Sequence, residues 1–283
     1  MVDTRPLLKV GGGKLGWEVP SSIINYLILG NVGSGKSVVA KMVATDVFVT
    51  AHRKKRVLPM LVVSEIKQED WLEFEDSPNV FLGWRAHKAI EATYNEMMHR
   101  QENRAIERTP LILLIEEVTV LMSSLESKQK SKVQKMLKSI ILSGRSRRIY
   151  CLFVSQDMYS SDLGDSNLRN QFGAVLGLGN MASRSAVANN IFDLEPGQKL
   201  EALPNRYGWY QEMNGSQPIK VQVRNVRDFT KMHKVLKKML EQYQPPNDSA
   251  PEGKGWQAEA LVHFTNPNPL GCKPAVGKIF LYM

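Results

Sequence analysis

Apolar residues run along this chain in two rhythms. Short unbroken runs, INYLILG (24–30), PMLVVS (59–64), LILLI (111–115), IYCLFVS (149–155) and AVLGL (174–178), are strand-sized. Between them, apolar residues recur every three to four positions, which predicts helices over about 36–50, 86–104 and 125–142. Strands alternating with helices imply an α/β fold whose mostly parallel sheet is flanked by helices. The near-continuous apolar character of the strands fits burial on both faces.

Past residue 225 the pattern changes. The stretch RDFTKMHKVLKKMLEQYQPP sets Phe229, Met232, Val235, Leu236, Met239, Leu240 and Tyr243 on one helical stripe, with Lys231, Lys234, Lys237 and Lys238 off it. Such a helix packs its stripe on the core and leaves the lysines to solvent, or offers them to a partner or DNA. Pro245-Pro246 and NDSAPEGKG then read as a linker before a tail of short β-like runs and turns. Three segments follow: an N-terminal β or loop segment (1–20), a main domain (21–244), and a Pro/Gly-rich linker with a small C-terminal extension (245–283).

Composition narrows the function classes. The 283 residues are 43% hydrophobic and 23% charged, as in a soluble domain, and no run approaches the roughly 18 apolar residues of a membrane span. The N-terminus lacks the charge order of a secretion signal, so a cytoplasmic location is expected. Two cysteines, Cys151 and Cys272, and five histidines give neither a disulfide framework nor zinc spacing. The net charge of +9 favours a polyanionic partner, nucleic acid or an acidic membrane surface.

One motif carries specific chemistry. GNVGSGKS, from Gly30 to Ser37, fits G-x-x-x-x-G-K-[ST] between a strand, INYLIL, and a helix, SVVAKMVATDVFV. Gly30, Gly33 and Gly35 let backbone amides close around phosphates at a helix N-terminus, and the loop residues Asn31, Val32 and Ser34, with Val38 after them, complete the nucleotide-contacting segment. Lys36 reaches the β and γ phosphates of ATP, and Ser37 holds Mg²⁺. A hydrolase of this type also needs a metal-side carboxylate and a base at a buried strand's end. LILLIEE supplies Glu116 for the first and Glu117 for the second. The apolar run PMLVVS between the two motifs favours a RecA-like arrangement.

With these residues in place the chain resembles the FtsK/HerA superfamily of P-loop motor ATPases, over about residues 7 to 225. SEIK (64–67) is similar to the family's D-P-K-like segment, NEMMHRQENR (95–104) to its N-E-M-x-R-R helix, and SGRSRRIYCLFVSQD (143–157) to its A-R-A-A-G-I-H-L-x-L-A-T-Q-R-P block. LRNQFGAVLGLGNMASRSAVANNI and LPNRYGWYQEMNGSQPIKVQV resemble the segments that close the motor.

The resemblance implies a RecA-like ATPase that assembles as a homo-oligomer, a hexameric ring, around double-stranded DNA. Conjugation, mobile-element or phage settings follow, with a relaxase or other mobile-element proteins as further partners. A protein-secretion ATPase and a nucleotide-gated DNA-binding adaptor remain alternatives. By position, Gln156 aligns with a polar sensor of the γ-phosphate or attacking water, and Arg145 with an arginine finger that enters a neighbour's ATP site. Asp157-Met158 replaces the usual R-P, and Glu116 replaces the usual Asp.

Other positively charged groups stay open. Arg147 and Arg148 are either solvated charges at a helix C-terminus or DNA contacts, and so are the acid-free lysines 128, 130, 132, 135 and 138 on their helix face. Trp71 and Trp84 are expected to serve packing or an interface.

Overall fold

A computed structural model describes residues 8–9, 25–48, 58–103, 108–156, 163, 171–183, 189, 191–212, 216–226 and 228–244. The chain divides into units Met1–Pro246 and Asn247–Met283. The second unit, and the 1–20 segment apart from Leu8–Lys9, lie outside the described residues.

The strands form one nine-stranded sheet: β1 (Leu8–Lys9), β2 (Asn25–Leu29), β3 (Met60–Glu65), β4 (Val80–Leu82), β5 (Leu111–Glu116), β6 (Ile149–Ser155), β7 (Ala174–Leu178), β8 (Tyr207–Glu212) and β9 (Ile219–Val223). Their order is β1-β9-β8-β7-β2-β6-β5-β3-β4. From β7 to β4 every pairing is parallel, whereas β7-β8, β8-β9 and β9-β1 are antiparallel. The α/β RecA-like expectation holds, with an antiparallel wing added at one side.

Period-two alternation splits the central strands into two cores. Tyr26, Ile28, Val63, Leu114 and Val154 face one side, packing with Met42, Leu236 and Leu240. Leu27, Leu29, Val62, Leu113 and Phe153 face the other, against Ile90, Met97, Leu121, Val133 and Leu137. The covering helices are α1 (Lys36–Met42), α2 (His87–Glu102), α3 (Val118–Ser124), α4 (Ser127–Ser143) and α5 (Phe229–Glu241). α1 widens into a π-helical turn over Val43–Phe48, so the predicted 36–50 helix is not uniform.

α5 buries Met232, Leu236, Met239 and Leu240 of its predicted stripe, with the Asp228 side chain capping its start, but Phe229 at the head of that stripe is exposed. Its far end is tied down by Asn79, whose Nδ2 donates to the carbonyls of Leu240 and Tyr243. Among the described residues no helix is long and apolar enough to cross a membrane.

Register places the chemistry. Glu65 lies beside Glu116, Glu116 beside Val154, and Leu29 beside Ser155. The carboxyl ends of β3, β5, β6 and β2 therefore share one edge, where open parallel sheets bind ligands.

Candidate functional site

β2 runs directly into the phosphate-loop motif. The Gly30 N–H donates to the Ser155 carbonyl at 3.1 Å, holding the loop's start to β6. A Cβ on Gly30 would lie 2.2 Å from Ser34 Oγ and 3.2 Å from Ser34 Cβ, so a side chain there would displace Ser34 from its present place in the loop. Gly35, immediately before α1, has φ +84°, a left-handed conformation that side chains rarely adopt. The first amides of α1 are thereby aimed out of the loop, which suits an anion. Asn31 Nδ2 donates to Asn180 Oδ1, Val32 is exposed, and Val38 is half-buried.

Two carboxylate groupings flank this loop in a cavity of about 280 Å³. The first surrounds Ser37, whose Oγ lies 2.7 Å from Asp70 Oδ2 and 2.9 Å from Glu116 Oε2. A hydroxyl has one proton, so it serves one of these carboxylates at a time. Trp71 Nε1 donates to Glu116 Oε1 at 2.8 Å. Glu65 accepts from the N–H groups of Glu69, Asp70 and Trp71, at 2.9, 2.7 and 3.0 Å, and so folds the 69–71 turn under the site. Carboxylate oxygens of Glu65, Asp70 and Glu116 lie within 4.8 Å of one another.

Burial pushes the Glu116 carboxyl up to about 7. The Trp71 hydrogen bond opposes this, the Asp70 charge adds to it, Ser37 opposes it, and Glu65 adds to it. Crowded acidic oxygens beside a serine hydroxyl form a hard-oxygen donor set, and that chemistry fits Mg²⁺.

The second grouping surrounds Glu117. Its backbone sits at φ +56°, ψ +57°, a strained conformation for a non-glycine residue. The turn swings its side chain away from Glu116's partners. Oε1 receives Gln156 Nε2 at 3.1 Å and Lys67 Nζ at 3.0 Å, with Lys36 Nζ at 3.4 Å. Oε2 receives the Gln156 N–H at 3.2 Å and Ser155 Oγ at 3.4 Å. Burial works to raise this carboxyl, but the Gln156 amide, Lys67, the Gln156 backbone and Lys36 together hold it below the ordinary carboxylate range.

The structure thus gathers Lys36, Ser37, Glu116, Glu117 and Gln156 at one edge. Arg145 is elsewhere. It is exposed in a 3₁₀ turn (Arg145–Arg147) at the opposite end of β6, whose seven residues span about 23 Å. Arg147 donates to the Ser143 carbonyl at 2.9 Å and to Gln101 Oε1 at 2.6 Å, and Arg148 to the Arg108 carbonyl at 3.1 Å. Arg147 therefore ties the ends of α4 and α2 together, and Arg148 ties the start of β6 to the segment before β5.

Sequence reasoning missed Asp70 and Trp71 as site residues, and saw Glu65 and Lys67 only within a resembling segment. Trp71 is fully buried, as a packing role requires, yet its N–H serves Glu116. Trp84 is 76% exposed, so it does no packing within the described part of the chain.

Residues 26–179, just over half of the chain, match the ATPase family associated with various cellular activities (AAA). No curated protein sequence matches. Among solved structures, the pCW3 conjugation coupling protein TcpA, in its monomer form with ATPγS, is 14% identical with a TM-score of 0.59, over 84% of this chain and 72% of that one. The cytoplasmic domain of the Thermomonospora curvata Type VII secretion ATPase EccC is 16% identical with a TM-score of 0.56, over 86% of this chain. EssC (ATPases 2 and 3) from Geobacillus thermodenitrificans is 13% identical with a TM-score of 0.53, over 77% of this chain. The chain spans about a third of the EccC chain's length and under half of the EssC chain's, 32% and 43%. These likenesses, in the FtsK/HerA-like family, are likenesses of fold. On the family match and the phosphate-loop geometry together, the chain belongs to the AAA family and is a P-loop ATPase.

Proposed function

We propose that the protein is an ATP-hydrolysing motor that moves double-stranded DNA as a ring of subunits, most simply a hexamer. The observation that carries hydrolysis is the placement of Glu117: charged, gripped from three sides, and 3.4 Å from the phosphate-loop lysine. The loop amides and Lys36 hold the β and γ phosphates. Ser37 and Glu116, with Asp70 beside them, would hold Mg²⁺, which when bound would neutralise phosphate charge. Glu117 takes a proton from water as its oxygen bonds to the γ-phosphorus, and ADP departs. Gln156 fixes the direction in which Glu117 points.

Assembly rests on the resemblance that makes Arg145 an arginine finger. A cation about 23 Å from its own site can stabilise the transferred phosphoryl only in another subunit's site. That arrangement makes hydrolysis depend on the ring. DNA as cargo is supported by the net charge of +9 and the acid-free lysines of α4. The likeness in fold to a secretion ATPase favours a second reading, with a polypeptide as cargo.

The test is Glu117→Gln. The variant should bind ATP as the wild type does and lose turnover by about 10²- to 10⁴-fold. Wild-type turnover would remove Glu117 from this role. Stimulation by peptide and indifference to DNA would favour the second reading.

A further inference from the structure

Trp84 stands at the centre of a second surface. It lies in the 3₁₀ turn Gly83–Arg85 that joins β4 to α2. At 76% exposure its indole offers most of its area to a ligand, and Lys88 Nζ sits 5.5 Å from the ring centroid. Arg85 and Lys88 are exposed beside it, and so are Lys128, Lys132 and Lys135 on α4.

His87 joins the turn to α4. Its Nδ1 lies 3.0 Å from the Trp84 carbonyl and its Nε2 lies 2.9 Å from Gln129 Nε2. A neutral ring that donates from Nδ1 and accepts at Nε2 satisfies both contacts. One turn further on, Lys132 pairs with Glu91 at 2.9 Å. The starts of α2 and α4 are therefore fixed side by side. The acidic side chain between them, Glu91, is paired with Lys132, so Arg85 and Lys88 beside the indole and Lys128 and Lys135 on α4 are left as the exposed cations of this face, with Glu126 at the start of α4 as an exposed acid.

We infer that this surface binds a single-stranded nucleic-acid segment, with one unpaired base stacked on Trp84 and flanking phosphates on Arg85, Lys88, Lys128 and Lys135. An exposed indole with a lysine over its ring and further exposed cations on the adjoining helix matches how strands are held without sequence preference. Duplex bases are already stacked and show no free face. A bilayer would need several apolar side chains to enter it, and α4 buries Val133, Leu137, Ile140 and Ile141 against the sheet. A second copy docked symmetrically here would oppose like charges. The surface also borders the nucleotide cavity, because the Gln68 side chain fills the space over Gly83 and its neighbour Lys67 lines that cavity. The inference takes its ligand class from the DNA reading above. It adds a contact specific for a single strand, centred on Trp84, that draws on the α4 lysines also invoked for the duplex.

The full chain is titrated, without nucleotide, into a fluorescein-labelled oligo-thymidylate of about 20 nucleotides, its abasic equivalent and a blunt hairpin duplex, followed by anisotropy. The thymidylate should bind tightest. Trp84→Ala should weaken it by about 5- to 150-fold, the range of one stacked base, and Trp84→Phe should recover most of that. Lys128→Gln with Lys135→Gln should reduce the salt slope by about 1.4. The inference is overturned if Trp84→Ala binds the thymidylate like the wild type, or if the abasic strand binds equally well. It also fails if phosphatidylserine vesicles bind in place of the thymidylate, or if Trp84→Ala lowers only the sedimenting mass. If the hairpin does not stimulate wild-type ATPase, the motor reading falls while the strand measurement stands on its own.

Discussion

Gln156 holds Glu117 twice, through its side-chain amide at 3.1 Å and its backbone N–H at 3.2 Å. One residue at the end of β6 thus governs both oxygens of the carboxylate ending the neighbouring strand. Gln156→Ala removes the side-chain half of this grip and keeps the backbone half. A hydrogen bond to a charged group contributes about 1.5–3 kcal/mol, so kcat should fall by about 10- to 100-fold with the KM for ATP little changed. Steady-state ATPase kinetics check this.

Lys67 reaches Glu117 from the loop after β3, at 3.0 Å. Lys67→Met removes that charge and leaves Lys36 and Gln156 in place. The Glu117 carboxyl should move up toward its ordinary range, so the acid limb of the pH–rate profile should shift to higher pH. An unchanged limb would separate Lys67 from the base.

Glu116 predicts a pH dependence of stability in the metal-free chain. Its carboxyl is raised from 4.5 to about 7, so between those values the folded chain holds a proton that the unfolded chain has released. The stabilisation is complete below the unfolded value and is lost as pH rises toward 7, at up to about 1.4 kcal/mol per pH unit. Thermal unfolding in a chelating buffer should show Tm falling over that window relative to Glu116→Gln.

Arg145→Ala should retain ATP binding and lose hydrolysis. Mixing it with Lys36→Ala should restore part of the activity, because each variant supplies what the other lacks across a subunit boundary. Lack of recovery in co-assembled mixtures would place Arg145 outside the ATP site.

Most of the parallel half of the fold was legible because its strands are buried on both faces and so read as apolar runs. The site's first layer was legible for a related reason: the phosphate loop and LILLIEE each sit at a strand end, where sequence neighbours stay neighbours in space. The layer beneath was not. Asp70 and Trp71 reach Ser37 and Glu116 through an irregular turn pinned by Glu65, and no periodicity marks such a turn. The signal that could have found it is the pair of carboxylates, Glu65 and Asp70, closely following an apolar strand. The antiparallel wing was not predicted: its segment was legible only as resembling the stretch that closes the motor, and YGWYQE alternates weakly. Of the packing or interface roles expected for Trp84, its exposure leaves only the second, and no pattern in the sequence tells an outward indole in a turn from a buried one.

ATP hydrolysis measured at steady state across protein concentration, with and without blunt duplex DNA, tests the central claim most directly. A duplex-driven ring predicts a rate per subunit that rises with concentration and rises further with DNA. A rate per subunit independent of both concentration and DNA would contradict it.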